Sequence, residues 1–193
     1  MKINNYKPGK SSFLSVEKDL EILINTFLSN NKLMNLIHYD SKDALMRPQL
    51  TMEQKIDMIG KNIKIIPKIA VDTDFLQYII VNFDNFTPSK NTEFRDNIVE
   101  IDICCHFSQW MLGDFRLRPY RIAGEIDSMI NNKHFSGIGT LQFINANIIL
   151  LEHEYAGLCL QYAAIHGEDD KNDTHPQENP AHVQDFKNII EDY

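Results

Sequence analysis

Four polar or metal-binding side chains recur at every second position between residues 100 and 106. They are Glu100, Asp102, Cys104 and His106, and they alternate with Val99, Ile101, Ile103, Cys105 and Phe107. A period of two is typical of a β-strand with one face buried and the other in water. Strand carboxylates can hold a hard cation, and a thiolate with an imidazole can bind zinc. This strand therefore carries the side chains of the chain whose types and spacing best suit metal chemistry.

Both metal sites are incomplete in the sequence. No neighbouring Cys-x-x-Cys or His-x-His pair completes four zinc ligands around Cys104 and His106. Nucleases that hold a cation on strand carboxylates usually add a lysine on the same strand, and this strand has none. We therefore expect no catalytic residue, no metal and no cofactor. A small metal-dependent nuclease that uses Glu100 and Asp102 is kept as an alternative.

A local basic group stands at the start of a predicted helix and consists of Arg116, Arg118 and Arg121. Guanidinium groups of this kind contact phosphate or the carboxylates of a neighbouring subunit, and they also pair with acids of their own helix. We favour a contact between subunits for these three residues.

Hydrophobic spacing predicts the elements that position these residues. Apolar residues at helical spacing predict a first helix from residue 16 to about residue 29. The strands Tyr78–Phe86 and Asn97–Phe107 form a long hairpin whose polar tip is Thr87–Asp96. A helix then begins near Pro119. Gly124 within this helix would allow its close approach to a sheet. A second strand pair follows the helix. The predicted fold class is α+β, an antiparallel sheet of two long hairpins flanked by helices.

The length of 193 residues predicts one domain, over residues 1–166. Residues 1–12 are expected to form a loose arm. Residues 32–72 read as an irregular or helical insertion, in which Thr51 caps a helix and Pro67 breaks an apolar stretch. Residues 167–193 form an acidic linker that ends in a short amphipathic peptide.

Most of the net charge of −8 lies in the last 27 residues, which hold eight acidic residues against two lysines. This distribution of charge does not favour binding of nucleic acid through its phosphates, which requires clustered cations. The apolar residues of the terminal peptide fit one helical face and make it a candidate docking element. They are Val183, Phe186, Ile189 and Ile190. Docking on a partner and folding back onto the same domain are both open, and an intracellular adaptor is a third functional hypothesis.

The amino-terminal residues lack the apolar core of a signal peptide, and no apolar run is long enough to cross a bilayer. Three cysteines, two of them adjacent, do not make a disulfide framework and favour a reducing compartment. We expect no contact with a membrane.

The order of these elements resembles that of phage neck and tail-completion proteins, a family that includes tail terminators and head–tail connector ring proteins. The resemblance rests on DNIVEIDICCHF, RPYRIAGEIDSMINN, GIGTLQF and YAGLCLQYAAI, and it covers residues 15–166. The chain departs from the compact form of the family in residues 32–72 and in its tethered carboxy-terminal arm.

The resemblance implies a structural virion protein without catalysis. Such proteins form rings of six or twelve copies by joining their sheets edge to edge around a channel, between the portal and adjacent neck or tail proteins. Genomic DNA passes through without sequence-specific binding. By this implication Glu100, Asp102 and His106 line the channel or a subunit contact, the 87–96 tip reaches an adjacent ring, and the arm docks on a neighbour. Assembly in the host bacterial cytoplasm and residence in the virion neck follow from the same resemblance.

Overall fold

A computed structural model of the protein describes residues 16–65, 71–88 and 95–165. Its six strands form one sheet in the order β1-β2-β3-β6-β5-β4. The strands are β1 (Ile63–Lys64), β2 (Gln77–Pro88), β3 (Arg95–His106), β4 (Lys133–Phe135), β5 (Gly139–Leu150) and β6 (Tyr155–Ile165). The helices are α1 (Val16–Ser29), α2 (Asn31–His38), α3 (Met52–Asp57) and α4 (Arg118–Ile130). The predicted α+β class is confirmed.

The sheet is mixed, which corrects the prediction of a purely antiparallel sheet. β1 lies parallel to β2, whereas the long pairings β2–β3, β3–β6 and β5–β6 are antiparallel. The short strand β4, which has no alternating apolar pattern in the sequence, adds a sixth member beside β5. The central pair β3–β6 therefore lies between two outer pairs.

Local sequence explains where the helices begin. The side chain of Asn30 accepts hydrogen bonds from the backbone N–H groups of Lys32 and Leu33 and so caps α2. Thr51 and Gln54 form a capping box at the start of α3, as the predicted Thr51 cap requires. In α4 the proline falls in the first turn, where its missing N–H has no acceptor to lose.

The main core lies between the helices and one face of the sheet. Val99, Ile101, Ile103 and Cys105 of β3 are buried in it, as the alternation predicts. They pack in the same cluster as Ile122, Ile126 and Ile130 of α4 and the apolar residues of α1 and α2. Phe107 does not belong to this face, which corrects the prediction. It lies just after β3 in a 3-10 turn and is 54% exposed.

The opposite face of the sheet carries a second, smaller core. Tyr78, Ile80, Cys104 and Tyr155 are buried there, and Phe75 packs against them. The expectation that Cys104 faces water is therefore wrong. Residues that lie far from Cys104 in sequence cover this end of the sheet.

The segment predicted as an insertion, residues 32–72, contains α2, α3, β1 and a 3-10 turn at Ala44–Met46. The apolar residues of α2 are fully buried, so this part of the chain supplies a share of the main core. They are Leu33, Met34, Leu36 and Ile37. Residues 1–12 and 167–193 lie outside the described residues. Within the described part of the chain, no helix combines the length and apolar character that a membrane crossing requires.

Candidate functional site

Glu100 and Asp102 lie side by side on the sheet face opposite the main core. In the register of β3 and β6, Glu100 stands opposite Gln161 and Asp102 opposite Cys159. The amide of Gln161 donates a hydrogen bond of 2.7 Å to Glu100 Oε2. All four positions are on one face because directly paired residues of neighbouring strands point the same way. The structure therefore brings the two predicted carboxylates together and adds a thiol and an amide from β6.

Partial burial sets the protonation of this group. Burial raises the pKa of Asp102, a hydrogen bond with the Cys159 thiol partly offsets that rise, and the charge of Glu100 adds to it. Burial also raises the pKa of Cys159, and the two carboxylates raise it further. Cys159 is therefore a neutral thiol at neutral pH, since burial and both neighbouring carboxylates disfavour the thiolate.

The same group has the geometry of an incomplete cation site. One ligand atom from each of Glu100, Asp102 and Cys159 lies within 4.8 Å of the others; the two carboxylates are partly buried and Cys159 is buried. Two carboxylates suit a hard cation, whereas the thiol must lose its proton before it can bind a softer metal. Alternation along LCLQYAAI places Cys159 and Gln161 on one face of their own strand, but no local pattern pairs that face with Glu100 and Asp102.

His106 is separate from this group. It lies four residues beyond Asp102 on the same strand, about 13 Å away at strand rise. Its Nδ1 is 2.8 Å from Ser108 Oγ, and its Nε2 is 3.5 Å from a carboxylate oxygen of Glu154. The ring also stands edge-on to Tyr155, with centroids 5.1 Å apart. His106 thus closes the turn after β3.

Arg118 is fully buried. Its guanidinium donates hydrogen bonds to four backbone carbonyl oxygens, which belong to Gln109, Leu36, Tyr39 and Ser41. Neither a channel nor a neighbouring subunit can reach this side chain. The prediction of an interface role for Arg118 is therefore wrong.

The other two arginines of the predicted basic group have local partners. Arg116 Nε lies 2.7 Å from a carboxylate oxygen of Asp114, and both side chains are about half exposed. Arg121 lies one helical turn from Glu125, with their charged atoms 3.4 Å apart. The three arginines therefore do not act as one cluster, because the middle one points into the core.

Two outer stretches of the sheet have no strand partner among the described residues. β4 covers β5 only at positions 139–141. β1 covers β2 only at Ile79 and Ile80. The outer edge of β5 over residues 142–150 and that of β2 over residues 81–84 therefore have no neighbouring strand in the part of the chain that the structure describes. They stand on opposite sides of the same sheet.

The direction of the β5 backbone shows which groups the free edge presents. Leu151 donates its N–H to the carbonyl oxygen of Tyr155 at 2.9 Å, toward β6. N–H groups alternate in direction along an antiparallel strand, so the N–H groups one, three and five positions before Leu151 point outward, away from β6. These residues are Ala146, Ile148 and Leu150. The stretch Gln142–Leu151 contains no charged residue and no proline.

Two regions predicted to contact other proteins, the terminal peptide and the tip of the first hairpin, lie wholly or partly outside the described residues. Val183, Phe186, Ile189 and Ile190 lie outside the described residues. The predicted hairpin tip is shorter than expected, since β2 reaches Pro88 and β3 begins at Arg95. Residues 89–94 between them also fall outside the described part.

The chain matches the model of one protein family over residues 30–164, from the cap of α2 to the end of β6. This range is more than two thirds of the chain and includes both strands of the carboxylate group and the free edge of β5. No curated protein matches the chain. The description of the matching family is YomW.

Proposed function

The chain belongs to the YomW family, and from this membership and the two open edges of its sheet we propose that it is a structural ring subunit of a tailed-phage neck. In this proposal it lies between portal and tail and has no catalytic activity. The family name is typical of phage-derived genes of Bacillus prophages, which supports a phage origin. Assembly then takes place in the host bacterial cytoplasm, and the ring becomes part of the virion neck.

The observation that carries the proposal is that β5 and β2, on opposite sides of one sheet, each have an outer stretch without a strand partner among the described residues. Exposed edges with unpaired N–H and C=O groups join other strands, and soluble proteins normally protect them with charges, proline or a covering element. The β5 edge has no charged residue or proline over Gln142–Leu151. A contact between two different edges is head-to-tail, and such contacts close into rings when the rotation per subunit allows it. We propose that β5 of one copy pairs with β2 of the next.

The polar face of the sheet supports a channel-facing role. Paired positions across β2, β3, β6 and β5 place carboxylates and amides together on this face. They are Asn82, Asp84, Glu100, Asp102, Asn145, Asn147 and Gln161. This set holds three carboxylates and no cation, so it offers phosphate groups no partner of opposite charge. A face of this kind suits a lumen through which DNA moves without sequence-specific contact. His106 at the end of β3, Arg116 just before α4 and Arg121 near the start of α4 are assigned to contacts with neighbouring copies or with portal and tail proteins.

Native mass spectrometry of the full-length chain tests the ring. The expected result is one closed species of six or twelve copies. Ala146→Pro removes an outward N–H from the β5 edge without touching the ladder to β6, and it should convert the ring to monomers. Ala146→Thr keeps the N–H and favours the strand, so it should leave the ring intact. A wild-type chain that stays monomeric at every concentration, with and without the purified portal, would overturn the proposal.

The metal-dependent nuclease is the second candidate, and the proximity of Glu100, Asp102 and Cys159 favours it. It predicts that Mg²⁺, Mn²⁺ or Zn²⁺ raises the melting temperature of the full-length chain, that EDTA reverses the rise, and that Glu100→Gln abolishes it. Asp84→Asn, on the same face but outside the group, is the matched control. The ring proposal instead expects no metal-dependent shift and no cleavage of DNA.

A further inference from the structure

Four apolar side chains of β5 form a strip on the helix side of the sheet. Phe143, Ala146, Ile148 and Leu150, here called the β5 strip, stand opposite Tyr162, Leu160, Leu158 and Ala156 of β6. Three of those β6 residues, at 158, 160 and 162, belong to the main core. The strip therefore continues the core-facing surface of the sheet by one strand.

The helix layer ends before it covers this strip. α4 packs on β3, β4 and β6. Its end lies beside the start of the strip, because Phe143 donates its N–H to Asn131 Oδ1 at 3.2 Å. Phe143 is 45% exposed, Ile148 63% and Leu150 79%. An apolar row that continues a core face and remains this exposed marks a surface to which another element binds.

The carboxy-terminal segment leaves the described chain next to this strip. β6 ends at Ile165, which pairs with Thr140, only three positions before Phe143 on β5. The 16 residues 166–181 link Ile165 to the terminal segment and would span up to about 50 Å if fully extended. The strip from Phe143 to Leu150 is about 23 Å long at strand rise. The linker therefore reaches any point of the strip within the same chain.

The size and polarity of the segment also fit. Residues 182–193 span about 18 Å as a helix, close to the length of the strip. On that helix Val183, Phe186, Ile189 and Ile190 share one face, whereas Asp185, Glu191 and Asp192 lie away from it. The acidic residues would point to solvent while the apolar face meets a strip without charged members. A helix this short requires such a surface, since it is not stable alone.

We propose that residues 182–193 form a helix that packs on the β5 strip of the same chain, beside α4. The contact uses the face of β5 and leaves its outer backbone groups free, so it does not depend on ring assembly. The segment completes the helix layer over the outer strand of the sheet.

Thiol labelling of the full-length chain tests the contact. Ile148→Cys places a thiol on the strip, and the three native cysteines are buried. With an intact carboxy-terminal segment this thiol should react with a maleimide on the order of tenfold more slowly than one introduced by Met46→Cys, a site that is 87% exposed. Phe186→Asp with Ile189→Asp should restore fast labelling at position 148. Asn188→Asp, on the opposite helical face, adds the same kind of charge and should leave labelling slow.

A disulfide identifies which chain supplies the segment. When oxidised with copper phenanthroline, Ile148→Cys combined with Ile189→Cys should form a disulfide within one chain, also at dilutions at which native mass spectrometry finds only monomers. Labelling at position 148 as fast as at position 46 would overturn the proposal, and so would slow labelling that ignores the Phe186 and Ile189 substitutions, because another surface then covers the strip. A disulfide found only between chains would overturn the intrachain contact and assign the strip to the segment of a neighbouring copy.

Discussion

Arg118 Nη1 donates a hydrogen bond of 2.6 Å to the carbonyl oxygen of Leu36, 82 residues away in the chain. The same guanidinium donates to the carbonyl oxygens of Tyr39 and Ser41, at the end of α2 and just after it. The carbonyls of Leu36 and Tyr39 lie in the last turn and at the cap of α2, where no intrahelical N–H is left to pair with them. A buried cation there also meets the negative end of the helix dipole. Arg118 therefore holds α2 to the start of α4.

Substitution of Arg118 should destabilise the protein strongly. Arg118→Ala leaves several buried carbonyl oxygens without donors and opens a cavity, at a cost of roughly 3 kcal/mol or more in the free energy of unfolding. Arg116→Ala removes an exposed pair and should cost at most about 0.5 kcal/mol. Urea denaturation of both variants checks the difference. Equal stability of the two would show that the buried hydrogen bonds of Arg118 contribute little.

Gly157 should tolerate no side chain. A Cβ built at this position lies 1.6 Å from the carbonyl oxygen of Ile103 on the paired strand, so Gly157→Ala must push β3 and β6 apart. The expected result is loss of folded protein, or a cost of several kcal/mol, on the order of 3 or more. Gly124→Ala is the matched control, because nothing lies within 4 Å of its Cβ. In the helix interior it should stabilise by about 0.5–1 kcal/mol. Thermal melts of both variants measure the difference, and a melting temperature of Gly157→Ala equal to that of the wild type would contradict the prediction.

These two glycines show what the sequence could not provide. The pattern around Gly124 suggested close approach of the helix to the sheet, but the close approach occurs at Gly157. It arises from the pairing of Cys104 with Gly157, which no local pattern contains. The helices α1 and α4 and the long strands were predictable because their apolar residues recur at periods of 3.6 and 2. The pairing order of the strands is set by contacts distant in sequence.

The candidate site also combines features that a local pattern predicts with contacts that depend on residues distant in sequence. Alternation placed Glu100 and Asp102 on one face, and the structure keeps them there. Alternation could not show that Cys159 joins these two carboxylates, since that contact depends on the register of β3 and β6. Nor could it show that Arg118 turns inward, because three of its acceptors lie 77 to 82 residues away.

Asp19 should make the protein less stable as the pH rises from about 4 to about 6. Burial raises the pKa of this carboxyl from 3.8 to about 6 in the folded chain. A folded-state pKa above the unfolded value means that the native state keeps the proton longer, so stability is greatest below the unfolded pKa and falls through the folded one. Asp19→Asn should remove this decline and raise the free energy of unfolding at pH 7 by up to about 3 kcal/mol.

Urea denaturation across this pH range measures the effect of Asp19→Asn. Asp57→Asn is the control, because Asp57 is exposed and forms a surface pair with Lys61; its effect should stay within about 0.5 kcal/mol. Parallel pH profiles for the wild type and Asp19→Asn would contradict the assignment of the decline to this carboxyl.

Lys64 and Asp72 form a buried ion pair, with Nζ and Oδ2 2.5 Å apart and each side chain 9% exposed. The ammonium also lies over the rings of Phe75 and Tyr78, about 5 Å from each centroid. Asp72→Asn leaves the ammonium without its charged partner in this small core, so the expected cost is roughly 3–5 kcal/mol. Lys64→Met keeps the length of the side chain but removes the cation from the buried carboxylate, which still accepts a hydrogen bond from the N–H of Asp74, at a similar cost.

The double variant Lys64→Met with Asp72→Asn separates the pair from the burial of each charge. Once both charges are gone, the loss should be clearly smaller than the sum of the two single losses, with a coupling of about 1–3 kcal/mol in urea denaturation. Asp43→Asn, at an exposed pair with Arg47, serves as the control and should change stability little. Strict additivity of the two single variants would mean that Lys64 and Asp72 stabilise this face through separate contacts, such as the aromatic rings around the ammonium.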